Sequence, residues 1–276
     1  MWTVVLASLS SFIDQFSNVV IKKIENDKKK STNLWALALV SWLGSSIVIW
    51  IVFIARGDFA FNWGAWGWFV PRIVLEMFQI YVTMKALEKA DLSFFSFGRV
   101  FSIIIVMFLE ARFLGITLRV GQYGGVFLVV FSIFIFLSRS IKRTKGWFWV
   151  MLSSLNGGLL FVITKLQFSY NNAFTNESIL RLVLVLLMML LVWGRRKSLS
   201  WNAKAWLLLP FRSVVGVLNL LALSLGAATI YSTVDRGGSV LSGVVLGNRF
   251  FKEKSLLEKL GVGFGIILGI ICLSML

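Results

Sequence analysis

The sequence has no histidine, one cysteine and two prolines in 276 residues, and each scarcity removes a class of chemistry. Without histidine the commonest general base and metal ligand is missing. Cys272 alone can build neither an intrachain disulfide nor a Cys/His metal site. No cofactor or metal is therefore expected, and an enzyme would have to work through an acid pair such as Asp14 with Glu76, for which no motif speaks. Acidic residues are also few, 12 against 28 basic, which leaves a formal charge of +16. On a soluble domain that excess would suggest nucleic acid, but here the basic residues fall in the gaps between apolar runs. They read as topology signals, and no nucleic-acid partner is expected.

What the chain does have is apolar length. Hydrophobic residues make up 58% and the mean hydropathy is +0.85, against roughly 45–50% apolar content in a soluble domain. Glycine (23) and tryptophan (12) are plentiful, which suits close-packed membrane helices anchored by interfacial aromatics such as Trp63, Trp66, Trp68, Trp147 and Trp149. About 20 residues span the hydrocarbon. Apolar runs of that order lie near 3–21, 34–55, 66–84, 92–110 and 118–138, then near 147–168, 177–194, 205–225, 228–247 and 256–276. The expected fold is an all-α integral membrane protein of ten transmembrane helices with no soluble domain. Met1 and Trp2 run directly into the first segment without a basic leader, so that segment is expected to be retained.

The two halves, 1–138 and 139–276, resemble each other. An offset of 137 pairs Ala90 with Ala227, Arg99 with Arg236, Arg112-Phe113 with Arg249-Phe250, and Gly124 with Gly261. Offsets of 139 and 140 pair Pro71 with Pro210, Arg72 with Arg212 and Gln79 with Asn219, and an offset of 142 pairs Asp14 with Asn156. Five spans per repeat is an odd number, so the second copy should enter the membrane inverted. Loops after odd-numbered segments hold Lys22, Lys23, Lys28, Lys29, Lys30, Lys85, Lys89, Arg139, Lys142, Arg143, Lys145, Arg195, Arg196, Lys197, Lys204, Arg249, Lys252, Lys254 and Lys259. The other side has Arg56, Arg112 and Arg119. By the positive-inside rule the odd loops are cytoplasmic and both termini extracytoplasmic in the plasma membrane.

Phe108-Leu109-Glu110-Ala111-Arg112-Phe113 running to Gly124, and Leu246-Gly247-Asn248-Arg249-Phe250 running to Gly261, are similar to the Leu-Gly-Glu-Arg helix ending and glycine-rich last helix of the drug/metabolite transporter superfamily. Ser17-Asn18-Val19-Val20-Ile21-Lys22 resembles the end of that family's first helix. Over the whole chain the sequence looks like its EamA-type branch of paired five-helix repeats. Asn248 replaces the usual glutamate and Glu110 falls one residue early, so the resemblance assigns no role to that acid. It implies transport of a small metabolite, and termini on the cytoplasmic side, opposite to the loop charges.

Ionisable groups inside the spans cost about 2.5–3.5 kcal/mol each on insertion scales and need a partner or a wet cavity. Arg99 and Arg236, at equivalent mid-segment positions, are candidates to bind a carboxylate or phosphate through bidentate guanidinium forks; the structural alternative pairs Arg236 with Asp235. Arg72, Glu76 and Gln79 share one helical face, repeated as Arg212, Gly216 and Asn219, a stripe suited to lining a cavity. Alternatively, Arg72 and Arg212 snorkel to the interface. Asp14, with Ser10, Ser17 and Asn18 beside it, and Glu76 are candidate proton carriers, Asp14 alternatively pairing with an arginine. Gly261, Gly265 and Gly269 form a small-residue stripe for packing within a monomer or, in the alternative, for a homodimer. The expected function is secondary transport of a small anionic or zwitterionic metabolite, with a flippase for an anionic lipid carrier as the alternative.

Overall fold

The computed structural model describes residues 1–26, 34–57, 61–116, 118–140, 146–194, 203–252 and 256–275. Many of the loop charges that set topology, Lys28, Lys29, Lys30, Lys142, Arg143, Lys145, Arg195, Arg196, Lys197 and Lys254, lie outside the described residues.

Within them every long element is a helix: α1 Trp2–Asn26, α2 Leu34–Arg56, α3 Trp66–Lys89, α4 Leu92–Gly98, α5 Phe101–Leu114, α6 Val120–Ser140, α7 Trp147–Phe168, α8 Ala173–Gly194, α9 Leu208–Leu225, α10 Ala228–Phe251 and α11 Leu256–Met275. Among the described residues six spans are long and apolar enough to cross a membrane: α1, α2, α4 with α5 taken together, α7, α8, and α9 with the 3-10 turn before it. The helices α3 and α10 have the length, 24 residues each, but carry charge along them: Arg72 and Glu76 in the first, Asp235 and Arg236 in the second. Two shorter apolar stretches, Val120–Ile135 and Gly261–Leu273, lie in α6 and α11.

The run near 92–110 is not one continuous helix. At Arg99 and Val100 the backbone tightens: the N–H groups of Val100, Ser102 and Ile103 donate to carbonyls three residues back, at 2.9–3.2 Å. The Arg99 carbonyl also accepts the hydroxyls of Ser102 (2.7 Å) and of Ser154 on α7 (3.0 Å). Just before the break Gly98 lies so close to Val150 of α7 that a Cβ there would force Val150 to shift. The break thus keeps its backbone acceptor satisfied, as buried backbone must. Gly115, in the left-handed region at φ 63°, ends α5.

Packing follows a crossed pattern. α1 lies against α9 and α10; correspondingly α7 lies against α3 and α5. α2 packs on α9 and α8, α10 on α4 and α5, and α6 on α11. The last contact is close because Gly125 and Gly269 face each other's backbone and Gly265 faces Ser132. Nothing lies near Gly261, so the two C-terminal members of the glycine stripe are the ones used within the chain.

The distribution of polarity is the reverse of a soluble protein's. Large apolar side chains face outward, among them Leu190 (67% exposed), Phe264 (65%) and Phe127 (64%), whereas Arg72 (2%), Arg236 (3%) and Asp235 (5%) are buried. Water would penalise that outer surface and hydrocarbon would not, so the structure has the character of a helical membrane protein.

Candidate functional site

A cavity of about 290 Å³ opens among α1, α2, α3, the α4–α5 break, α7, α8, α9 and α10. The nine residues read from the sequence as candidates for substrate binding or proton coupling all line it: Asp14, Arg72, Glu76, Gln79, Arg99, Arg212, Asn219, Asp235 and Arg236. Two others that the sequence reading passed over, Glu177 and Arg181, line it too. They stand i, i+4 on α8, the same spacing as Arg72 and Glu76. An acid and a base one turn apart inside an apolar span are the available signal; a span beginning near 177 puts the acid at a helix end, whereas α8 begins a turn earlier at Ala173.

The charges pair across helices. Arg72 does not reach the interface: its guanidinium donates to Glu177 and to Gln167 (2.5 Å), with the Glu76 carboxylate further off at 3.8 Å. Glu177 also holds Arg181 at 3.2 Å, and Arg181 donates onward to Ser45 of α2. Across the cavity Arg212 binds Asp14 and donates to Asn18 (3.0 Å). The placement of Arg212 is therefore set by α1 and not by the membrane surface. Arg236 takes its sequence neighbour Asp235 at 3.0 Å, donates to Ser102 at 3.2 Å, and lies 4.9 Å over the Phe161 ring.

Equivalent contacts recur at the two crossed interfaces. Ser10 donates to Asn219 between α1 and α9, and Gln79 donates to Ser153 at 2.8 Å between α3 and α7. Asn156, the counterpart of Asp14, donates to Gln79 at 2.8 Å and to the Leu75 carbonyl at 2.9 Å. An amide stands here where the other interface has an acid, and Arg72 turns instead toward α8.

Arg99 differs from the other four arginines. Among the described residues its guanidinium makes no ion pair or side-chain hydrogen bond, its Nε is buried without a partner, and it lies over the Phe95 ring at 5.2 Å. It lies in the field of Arg236, Asp235, Asp14 and Arg212. Five guanidiniums and four carboxylates line the cavity, and Arg99 is the positive charge left over. Such a group, held by a helix break in a confined site, can receive an anion bidentately. Among the described residues no cluster of three or more acids or sulfur ligands could hold a metal ion.

No family model and no curated protein matches the sequence. Solved structures do: one crystal structure, of a protein identified no further, covers 98% of this chain and 98% of its own length with a TM-score of 0.70 at 14% identity. At that identity the likeness is one of fold, extending over the entire helical arrangement.

Proposed function

We propose that the chain is a secondary transporter of a small anionic or zwitterionic metabolite, such as an amino acid or organic acid, working by alternating access. The observation that carries this reading is the single uncommitted guanidinium, Arg99, on the wall of a charged central cavity. Arg99 is half-buried, and a cation without an ion pair set among apolar helices is costly unless something of opposite charge visits it.

In this reading the chain spans the plasma membrane ten times as two inverted five-helix repeats, 1–138 and 139–276, with both termini extracytoplasmic. The crossed packing supports it: exchanging α1 with α7, α3 with α9, and the α4–α5 pair with α10 turns the packing of α1 on α9 and α10 into that of α7 on α3 and α5, although the close packing of α2 on α9 has only a slight counterpart between α8 and α3. So does the cavity, since the first four segments of each half line it and α6 and α11 do not. Inverted repeats of this kind build a substrate site at their shared axis. The motifs around Arg112 and Arg249 carry the same reading toward the EamA-type branch of the drug/metabolite transporter superfamily. For proton coupling, Asp14 is held by Arg212 and Asn18 whereas Glu76 has only a 3.8 Å contact, so Glu76 is the acid freer to exchange a proton.

The test is a thermal-stability screen of purified protein against amino acids, organic acids and phosphates, since a ligand that binds the folded state raises its apparent stability. Hits are then followed by uptake into proteoliposomes with and without a pH gradient. An anionic or zwitterionic hit should lose about 1.5–3 kcal/mol of binding in Arg99→Lys, which keeps the charge and loses the fork. Preferential stabilisation by organic cations would overturn the reading.

A further inference from the structure

We propose that Asp235 sets the charge of the ligand: by committing Arg236 it leaves Arg99 as the sole anion receiver and restricts the cavity to molecules bearing one anionic group. The proposal rests on the reading of the cavity as an anion site and concerns why that site, built from two equivalent arginines, behaves as a single one.

Arg99 and Arg236 stand 137 residues apart at matching places in the two halves, and both line the cavity. What distinguishes them is the preceding residue. Before Arg236 it is Asp235, whose carboxylate takes the Arg236 Nη1 at 3.0 Å with both side chains almost fully enclosed. Before Arg99 it is Gly98, where any side chain would run into Val150 and force it to shift. An acid at this position in the first half would have to displace Val150, whereas the second half carries one.

Arg236 is nevertheless built to receive. Its Nε is fixed by Ser102 at 3.2 Å and its plane by the Phe161 ring at 4.9 Å. Its Nη2 makes no hydrogen bond among the described residues and faces the cavity beside Gly157, where even a methyl group would stand 3.6 Å away. Only the Asp235 carboxylate stands between this guanidinium and a second bound anion. Removing that negative charge while keeping its shape should turn a one-anion cavity into a two-anion cavity.

The experiment measures binding to the purified full-length chain of two probe pairs that differ by one carboxylate, butanoate against butanedioate and alanine against aspartate. The proteins compared are the wild type, Asp235→Asn and Arg99→Lys. The wild type should prefer the member with fewer carboxylates. Asp235→Asn should reverse the order, with butanedioate or aspartate tightening by tenfold or more. Arg99→Lys should weaken all bound probes. If Arg99→Lys weakens binding and Asp235→Asn leaves the order unchanged, the charge-setting role is wrong while the anion site stands. If no probe binds the wild type or Asp235→Asn, the anion reading falls and this inference with it. Should Asp235→Asn not fold because Arg236 is left buried and unpaired, the double variant Asp235→Asn, Arg236→Gln removes both charges. There the dianion gain should be absent, and a dianion preference in it would overturn the proposal.

Discussion

The Glu110 carboxylate, near the end of α5, caps the first turn of α10 through Thr229. Both the backbone N–H (2.7 Å) and the hydroxyl (2.6 Å) of Thr229 donate to it, and the N–H of Ala228 donates to its other oxygen at 2.6 Å. The first N–H groups of a helix have no partner within it, and a buried carboxylate there also meets the positive end of the helix dipole. Glu110 is thus a structural acid, and α10, which carries Asp235 and Arg236, depends on it for its starting point. Replacing it with glutamine puts an NH2 donor against one of these N–H donors. Glu110→Gln should lower stability in detergent by about 1–3 kcal/mol and leave the ligand's charge preference as it is. Denaturant unfolding of the purified chain reads the first effect.

Glu177 serves two arginines at once, Arg72 and Arg181. Removing its charge strands both in the interior, and breaking a buried pair from one side costs about 3–5 kcal/mol. Glu177→Gln should therefore be among the most destabilising conservative changes in the protein. Glu76→Gln should cost less, because Glu76 only approaches Arg72 at 3.8 Å. Thermal unfolding of the two variants side by side decides this, and equal losses would contradict the assignment of Arg72 to Glu177.

The glycines of α11 differ in what a side chain would meet. A Cβ on Gly269 would lie 2.7 Å from the Gly125 carbonyl and 2.6 Å from Val129, whereas one on Gly261 would meet nothing within 4 Å. Gly269→Ala should separate α6 from α11 and cost about 1–3 kcal/mol. Gly261→Ala should stay within about 0.5 kcal/mol of the wild type. Melting temperatures in one detergent provide the comparison.

Orientation can be tested independently of stability. With the odd-segment loops cytoplasmic, a reporter fused at the C-terminus should be active only in a format that works outside the cytoplasm. A cytoplasmic signal there would favour the topology that the family resemblance implies.

Hydropathy and residue type by themselves determined that this is a chain of long apolar helices with a few charges set inside them, because spanning length and polarity are local properties of about 20 residues. The same locality made Asp14, Arg72, Glu76, Gln79, Arg99, Arg212, Asn219, Asp235 and Arg236 legible as polar groups in an apolar setting, and the structure brings all nine to one cavity. Which charge answers which was decided only by tertiary structure. Asp14 meets Arg212 across 198 residues and Arg72 meets Glu177 across 105, and such pairings depend on how helix faces are turned toward each other, which no periodicity within one segment encodes. The helix break at Arg99 belongs to the same class. It coincides with the seating of α7 against Gly98 and with the Ser154 hydroxyl bound to the Arg99 carbonyl, and there Arg99 has no acid while its counterpart Arg236 keeps one.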